Sequence, residues 1–395
     1  MRIGRRPAAL ATILAASAFT FAACGSDESE DTASGGDSAA TTASGDVSLK
    51  GVCPDTVVIQ TDWMPEADHS ESYALIGGTP EYDKGKKRVS GDLYYKGKPT
   101  GVKVEVRAGG PATGFQTPTQ QMYTDSSITL GYENSDEAVR NSGKTPMTMV
   151  MAPREKWAQV LIYDPGTYDF KTIADIGKTN TKVLYFKGNY YMDYLVGAGI
   201  LKKEQVDSSY DGTPARFVTS GGKVVQQGFI TAEPWQYENT VKQWAKPVAT
   251  LNISDAGYPN YGEALAIKAS KKAELSDCLK KLVPVIQQAQ VDYAKDPTAT
   301  NKIIVEAAKL YGGWDYPAEL AAFGAEQQVK TGIIGDGPTP ALGDIDEARV
   351  QKIIDLTAPI FKKQNVTVKD GVTAADLFTN EFIDQSISLG SGSDS

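Results

Sequence analysis

The chain has 395 residues and a formal net charge of −9, with 40 Lys and Arg, 49 Asp and Glu, and a single histidine. An acidic surface repels nucleic-acid phosphates, whose capture rests on Lys and Arg, so nucleic-acid binding is excluded. One histidine cannot supply a multi-histidine metal centre, and neither a metal nor another cofactor is expected.

The chain opens with the basic Met1-Arg2-Ile3-Gly4-Arg5-Arg6 and an apolar, small-residue run that ends at Cys24. That run is shorter than the roughly 20 residues a spanning helix needs and a polar segment follows at once, so residues 1–23 read as a signal peptide. Phe21-Ala22-Ala23-Cys24 resembles a bacterial lipoprotein processing site, with Phe21 where leucine is usual, which implies a lipidated Cys24 as the first mature residue. Loss of Arg2, Arg5 and Arg6 takes the formal charge from −9 to −12. Residues 24–50 are rich in Ser, Gly, Ala, Thr and acid, the composition of a flexible tether between a membrane anchor and a folded domain. The ~345 residues that follow exceed the size at which one core stops growing, so two lobes are expected. Besides Cys24 there are only Cys53 and Cys278. In an exported chain they are compatible with one disulfide, the alternative being two free thiols.

Thr56 to Gln60, Val102 to Val106 and Val183 to Phe186 read as strands. Ser276 to Ala294 repeats Leu279, Leu282, Val283, Ile286 and Ala289 at helical spacing. Strands alternating with helices argue for α/β layers, in which ligands sit beyond the carboxyl ends of strands. The corners to watch are therefore Asp62-Trp63 after the first strand, Gly109-Gly110 after the second, Tyr190-Tyr191 after the third, and Glu233-Pro234-Trp235-Gln236-Tyr237-Glu238. Adjacent Tyr190 and Tyr191 point in different directions in either regular structure, so at most one faces a cleft. Aromatic faces at such corners are platforms for a ring, and carboxylates accept hydrogen bonds from amino groups. Gly109-Gly110 offers backbone N–H groups to an anion, or simply a turn.

The segment Asp62-Trp63-Met64-Pro65-Glu66-Ala67-Asp68-His69-Ser70-Glu71-Ser72-Tyr73 resembles the Asp-Trp-x-Pro…His…Tyr run that opens solute-binding proteins of ABC importers in the nitrate, sulfonate, taurine and thiamine-precursor group. Phe170 to Gly177 looks like that group's lead into its second lobe, and Asp376 to Phe382 is similar to a C-terminal segment of the thiamine-precursor branch. The resemblance implies a two-lobed periplasmic-binding-protein-like clamp of type II, α/β, with two mixed sheets flanked by helices and two crossing strands as hinge. The implied layout is a first lobe over 51–153 and 259–395 and a second over 154–258, the chain crossing near Pro153 and Pro259. It implies capture of a small heteroaromatic solute between the lobes, delivery to an ABC permease with its ATPase, a monomeric and lipid-anchored extracytoplasmic location, and no catalysis. The same fold group includes an enzyme that makes the thiamine pyrimidine with pyridoxal phosphate and histidines, which an exported chain with one histidine does not match. An aromatic-then-Glu grip on an aminopyrimidine carries over to Trp235 and Glu238, and Trp63 and His69 to the first corner.

Ligand contacts are thus expected from Asp62, Trp63, His69, Gly109, Tyr190, Glu233, Trp235 and Glu238. Glu66 and Asp68 stand where the branch commonly has asparagine, Glu71 where it has glycine and Pro234 where it has an aromatic, so this first corner is unusually acidic. The alternative ligand is a small anion such as a sulfonate, taurine or nitrate, with Arg107 and Lys187 as its partners.

Overall fold

A computed structural model of the chain describes residues 47–337 and 339–390. The signal peptide, Cys24 and the tether up to residue 46 lie outside the described residues. The folded part reaches back further than the tether composition suggests. Leu49 is fully buried in the main core and its N–H donates to the Thr100 carbonyl at 2.9 Å, because one apolar side chain in a polar stretch finds a hydrophobic seat.

Among the described residues twelve strands form two mixed sheets. In chain order they are β1 Thr56–Gln60, β2 Ile76–Asp83, β3 Arg88–Tyr95, β4 Lys98–Arg107, β5 Leu130–Glu133 and β6 Met147–Met151. Then come β7 Gln159–Tyr163, β8 Val183–Leu184, β9 Val206–Asp207, β10 Val225–Phe229, β11 Ala249–Asn252 and β12 Ala264–Lys268. The larger sheet has the order β2-β3-β4-β1-β5-β12-β6, the smaller β11-β7-β10-β8-β9. The chain passes from the larger to the smaller sheet through 152–158 and returns through 253–263.

Local sequence explains these elements. Strand β1 is an apolar run, Val57-Val58-Ile59, flanked by parallel neighbours β4 and β5 and buried on both faces. Full burial of each such side chain contributes about 1.5–3 kcal/mol. Strand β4 alternates instead, with Val102, Val104 and Val106 inward and Lys103 and Glu105 toward solvent or partners. The helix expected over 276–294 runs Lys272–Lys295 and turns Leu279, Leu282, Val283 and Ile286 into the core. The strand expected through Phe186 stops at Leu184, because the Asn189 N–H reaches back to the Phe186 carbonyl and turns the chain toward the helix Tyr191–Gly197.

One hydrophobic cluster fills the space between the larger sheet and the helices Lys272–Lys295, Thr298–Tyr311 and Ala318–Lys330; a second runs from that sheet's other face into the smaller sheet. Cys53 and Cys278 are joined by a disulfide that ties the start of β1 to the long helix across 225 residues. Among the described residues no helix is long and apolar enough to cross a membrane.

Candidate functional site

Strands β1, β5, β8 and β10 end at a cleft of about 750 Å³ between the sheets. One wall comes from Asp62, Trp63, Glu66, Phe115, Glu137, Arg140, Glu263 and Trp314, the other from Trp157, Phe186, Lys187, Tyr190, Gln227 and Glu233.

The first corner is held by its own backbone groups. Thr61 Oγ1 donates to the carbonyls of Trp63 and Arg107 at 2.7 and 3.0 Å, and the Gln60 amide donates to the carbonyls of Thr61, Arg107 and Ala108. Gly109 donates its N–H to the Trp63 carbonyl at 2.8 Å. A Cβ on Gly109 would lie 2.2 Å from the Thr61 carbonyl oxygen, and one on Gly110 2.6 Å from the Trp63 ring. The glycine pair is therefore the seat of Trp63. The N–H of Gly109 is spent there, which corrects its expected part in ligand contact.

Trp63 stands in an aromatic cluster that spans the cleft. Its ring centroid is 5.7 Å from Phe186 on the opposite wall, 6.0 Å from Phe115 and 6.2 Å from Trp314. Phe115 is 58% exposed and held at φ +62°, unusual for a bulky side chain, where its N–H closes a turn on the Gly110 carbonyl. On the far wall Gln227 Oε1 accepts from the Phe186 N–H and the Asn189 amide, each at 2.7 Å, and from the Tyr191 hydroxyl at 3.1 Å. That one side chain fixes the loop presenting Phe186. Tyr190 lines the cleft with the Arg140 guanidinium 5.5 Å from its ring centroid, while Tyr191 is buried behind it.

His69 is fully buried beneath the wall and does not line the cleft. Its Nε2 lies 2.7 Å from Asp62 Oδ1, so it orients Asp62, which does reach the cleft. Burial works against ionisation of Asp62, but the His69 hydrogen bond and charge outweigh it and hold the carboxyl below its usual range. Glu233 lines the cleft and accepts the Phe229 N–H at 2.7 Å; burial pushes its carboxyl up to about 7.

Trp235 and Glu238 do not line the cleft, a correction with a simple cause. Residues 233–239 form a helix, in which each position turns about 100°, so a helix that aims Glu233 inward turns Trp235 away. Trp235 packs against the main core and Glu238 is exposed. Arg107 is spent as well, on Glu105 at 2.7 Å and Asp125 at 2.8 Å, outside the cleft. Lys187 does line it.

Beneath the floor lies a charge cluster that sequence reading missed. Arg154, 1% exposed, sits with Nε 3.1 Å from Glu263 Oε2 and Nη2 3.6 Å from Glu71 Oε2. Burial disfavours its charge, but Glu263, Glu71 and Tyr132 more than restore it. Tyr132 in turn donates to Glu71, and Asp68 accepts from Thr231 at 2.6 Å, tying the first corner to the loop after β10. Burial first, then neighbouring carboxylates, push Glu66 and Glu137 well above the ordinary range; burial pushes Glu263 the same way against the opposing charge of Arg154. Asp62, His69 and Glu263 bring donor atoms within 4.8 Å of one another, the geometry a metal ion could use. Arg154 already occupies one side of Glu263, and His69 Nε2 is already committed to Asp62, both of which weigh against a metal there.

No family model matches the chain and no curated protein matches it. Solved structures do. The alkanesulfonate-binding protein SsuA from Xanthomonas axonopodis pv. citri bound to MOPS superimposes with TM-score 0.51 at 15% identity, covering 82% of this chain and 99% of that one. The periplasmic aliphatic sulphonate binding protein SsuA from Escherichia coli gives 0.51 at 15% identity, over 80% and 90%. A zinc-bound ligand binding component of an ABC-type import system from Staphylococcus aureus gives 0.52 at 12% identity, over 84% and 99%. The chain has the two-lobed α/β fold of these periplasmic binding proteins.

Proposed function

We propose that the chain is the solute-binding component of an ABC import system, tethered outside the cell membrane through lipidated Cys24, that captures a small planar heteroaromatic solute between its lobes and delivers it to a permease. The observation that carries this reading is the cleft itself: Trp63, Phe115, Trp314, Phe186 and Tyr190 line a space of about 750 Å³, large enough to enclose a small molecule. A ring inserted there stacks on either wall, and Asp62, Glu137 and Glu233 accept hydrogen bonds from its amino groups.

Closure would rotate the lobe over 154–258 against the lobe over 51–153 and 259–395 about the crossing segments, the bound ring joining both walls. No bond is made or broken in the ligand, so the proposed role is transport and not catalysis. A second reading, a sulfonate or similar anion, rests on the ligands named for the sulfonate-binding neighbours and on Arg140, Lys144 and Lys187 at the cleft. It asks an anion to enter beside Glu66, Glu137 and Glu263, whose carboxyls offer it no positive partner and repel it whenever they ionise.

Calorimetric titration with an aminopyrimidine tests the first reading. Trp63→Ala is expected to weaken binding by about 1–3 kcal/mol, roughly 10- to 100-fold, through loss of stacking and apolar contact. Unchanged affinity with a lower melting temperature would assign Trp63 to packing alone.

A further inference from the structure

Glu66 is 8% exposed and lines the cleft, yet among the described residues no side chain donates a hydrogen bond to its carboxylate and no cation pairs with it. Buried carboxylates in folded proteins are normally paired or hydrogen-bonded, since a lone one forfeits its hydration for nothing. Its neighbours do not relieve it. Glu263, 3% exposed, shares Arg154 with Glu71, and Glu263 Oε2 accepts no hydrogen bond; Asp62 is paired with His69. Glu263 is moreover held at φ +56°, with its N–H donated to the Asn134 side chain at 2.9 Å, a strained posture that keeps the carboxylate on the cleft floor.

The other cations lining the cleft, Arg140, Lys144 and Lys187, form no ion pair with these floor carboxylates. The floor therefore presents more carboxyl groups than the protein's own cations pair with, directly below a cluster of aromatic rings, and a cation placed there favours their ionised form. Faces of Trp, Tyr and Phe attract cations, and more strongly where water is excluded.

We propose that the ligand is an organic cation, an aromatic or aromatic-sized molecule bearing an amidinium or ammonium group, and that Glu66, with Asp62 and Glu263 beside it, is the subsite for that charge. The inference rests on the receptor reading above and specifies the ligand class for the same cleft. The ring lies against Trp63 and Phe186 while the cationic group completes the pairing that the floor lacks. A sulfonate or carboxylate at this position meets the unpaired carboxylate of Glu66.

Isosteres of different charge test it on the full chain. Benzamidinium, benzamide and benzoate share a ring and nearly the same outline, and 1-methylnicotinamide differs from nicotinamide by one methyl group and one charge. Calorimetry is expected to show each cation binding at least 10-fold more tightly than its neutral partner, with benzoate weakest. Glu66→Gln should abolish most of that preference while leaving the melting temperature unchanged or raised, since the wild-type carboxylate has no partner to lose. Neutral or anionic isosteres binding as tightly as the cations would overturn the charge assignment and leave the receptor reading standing, and so would a preference that survives Glu66→Gln. Binding by none of the five overturns both. Zinc chloride that binds alone, and loses affinity in His69→Gln, would reassign the floor to a metal ion and overturn the proposal.

Discussion

Replacing Arg154 with Met is expected to lower the free energy of unfolding by about 3–5 kcal/mol, the usual cost of removing one partner from a buried ion pair. Arg154 is the largest fully buried side chain among the described residues and is flanked by Glu263 and Glu71. None of its three guanidinium nitrogens makes a well-aligned hydrogen bond, so charge and not directional bonding holds it in place. Removal leaves Glu71 and Glu263 with no cation in ion-pair contact and surrounded by Asp62 and Asp68. Chemical denaturation of the single variants and of Arg154→Met with Glu263→Gln checks the origin of the loss. The double variant should recover part of the stability, because a neutral amide no longer needs the guanidinium; strictly additive losses would contradict a charge-pairing role.

The same cluster makes an unusual prediction about pH. The ligand-free protein should be more stable at pH 5 than at pH 8. Burial pushes Glu133 to about 7, against hydrogen bonds from Thr119 and Asn141, and Glu233 to about 7; burial also raises Glu66, Glu137 and Glu263 well above the ordinary carboxyl range. A carboxyl with a raised folded value binds more protons folded than unfolded, so stability falls as pH rises from its unfolded value near 4.5 through its folded one. For Glu133, 1% exposed, that amounts to about 3 kcal/mol between pH 4.5 and 7, with a smaller share from the partly exposed Glu233. The groups shifted the other way act elsewhere on the scale. Asp125, held at about 2 by Ser127 and Arg107, withdraws its contribution only below about pH 4. Melting temperature should fall by roughly 5 °C or more from pH 5 to pH 8 in the absence of ligand. A flat or rising profile would mean that the floor carboxylates are compensated within the protein.

The legible parts of the site were those in which chemistry and position coincide within a few residues. Val57-Val58-Ile59 marks a buried strand, and Asp62-Trp63 lies directly beyond its carboxyl end, so the cleft wall could be named from local sequence. Glu233 was named only from a run of aromatics and carboxylates, the strand before it going unread, and it too lines the cleft. Trp235 and Glu238 were misplaced because a linear motif ignores the turn of the helix that bears it. His69 was placed near the ligand, yet its side chain lies beneath the wall, bonded to Asp62 and against the Tyr132 ring. Arg154 and Glu263 come from the two crossing segments, and Phe115 and Trp314 from loops, with partners far away in the chain. Only the three-dimensional meeting of the lobes gives them a role. Leu49 eluded composition because a single core residue does not alter the character of a polar tether.

The most direct test of the central claim is the intrinsic tryptophan fluorescence of the full chain during titration with cationic heteroaromatics, then with taurine and nitrate. Trp63, Trp157 and Trp314 all line the cleft and will report its filling. Saturable quenching at micromolar concentrations of a heteroaromatic, diminished in Trp63→Ala, is the predicted result. A saturable response to taurine or nitrate alone would contradict the account and place the ligand with Arg140, Lys144 and Lys187 instead.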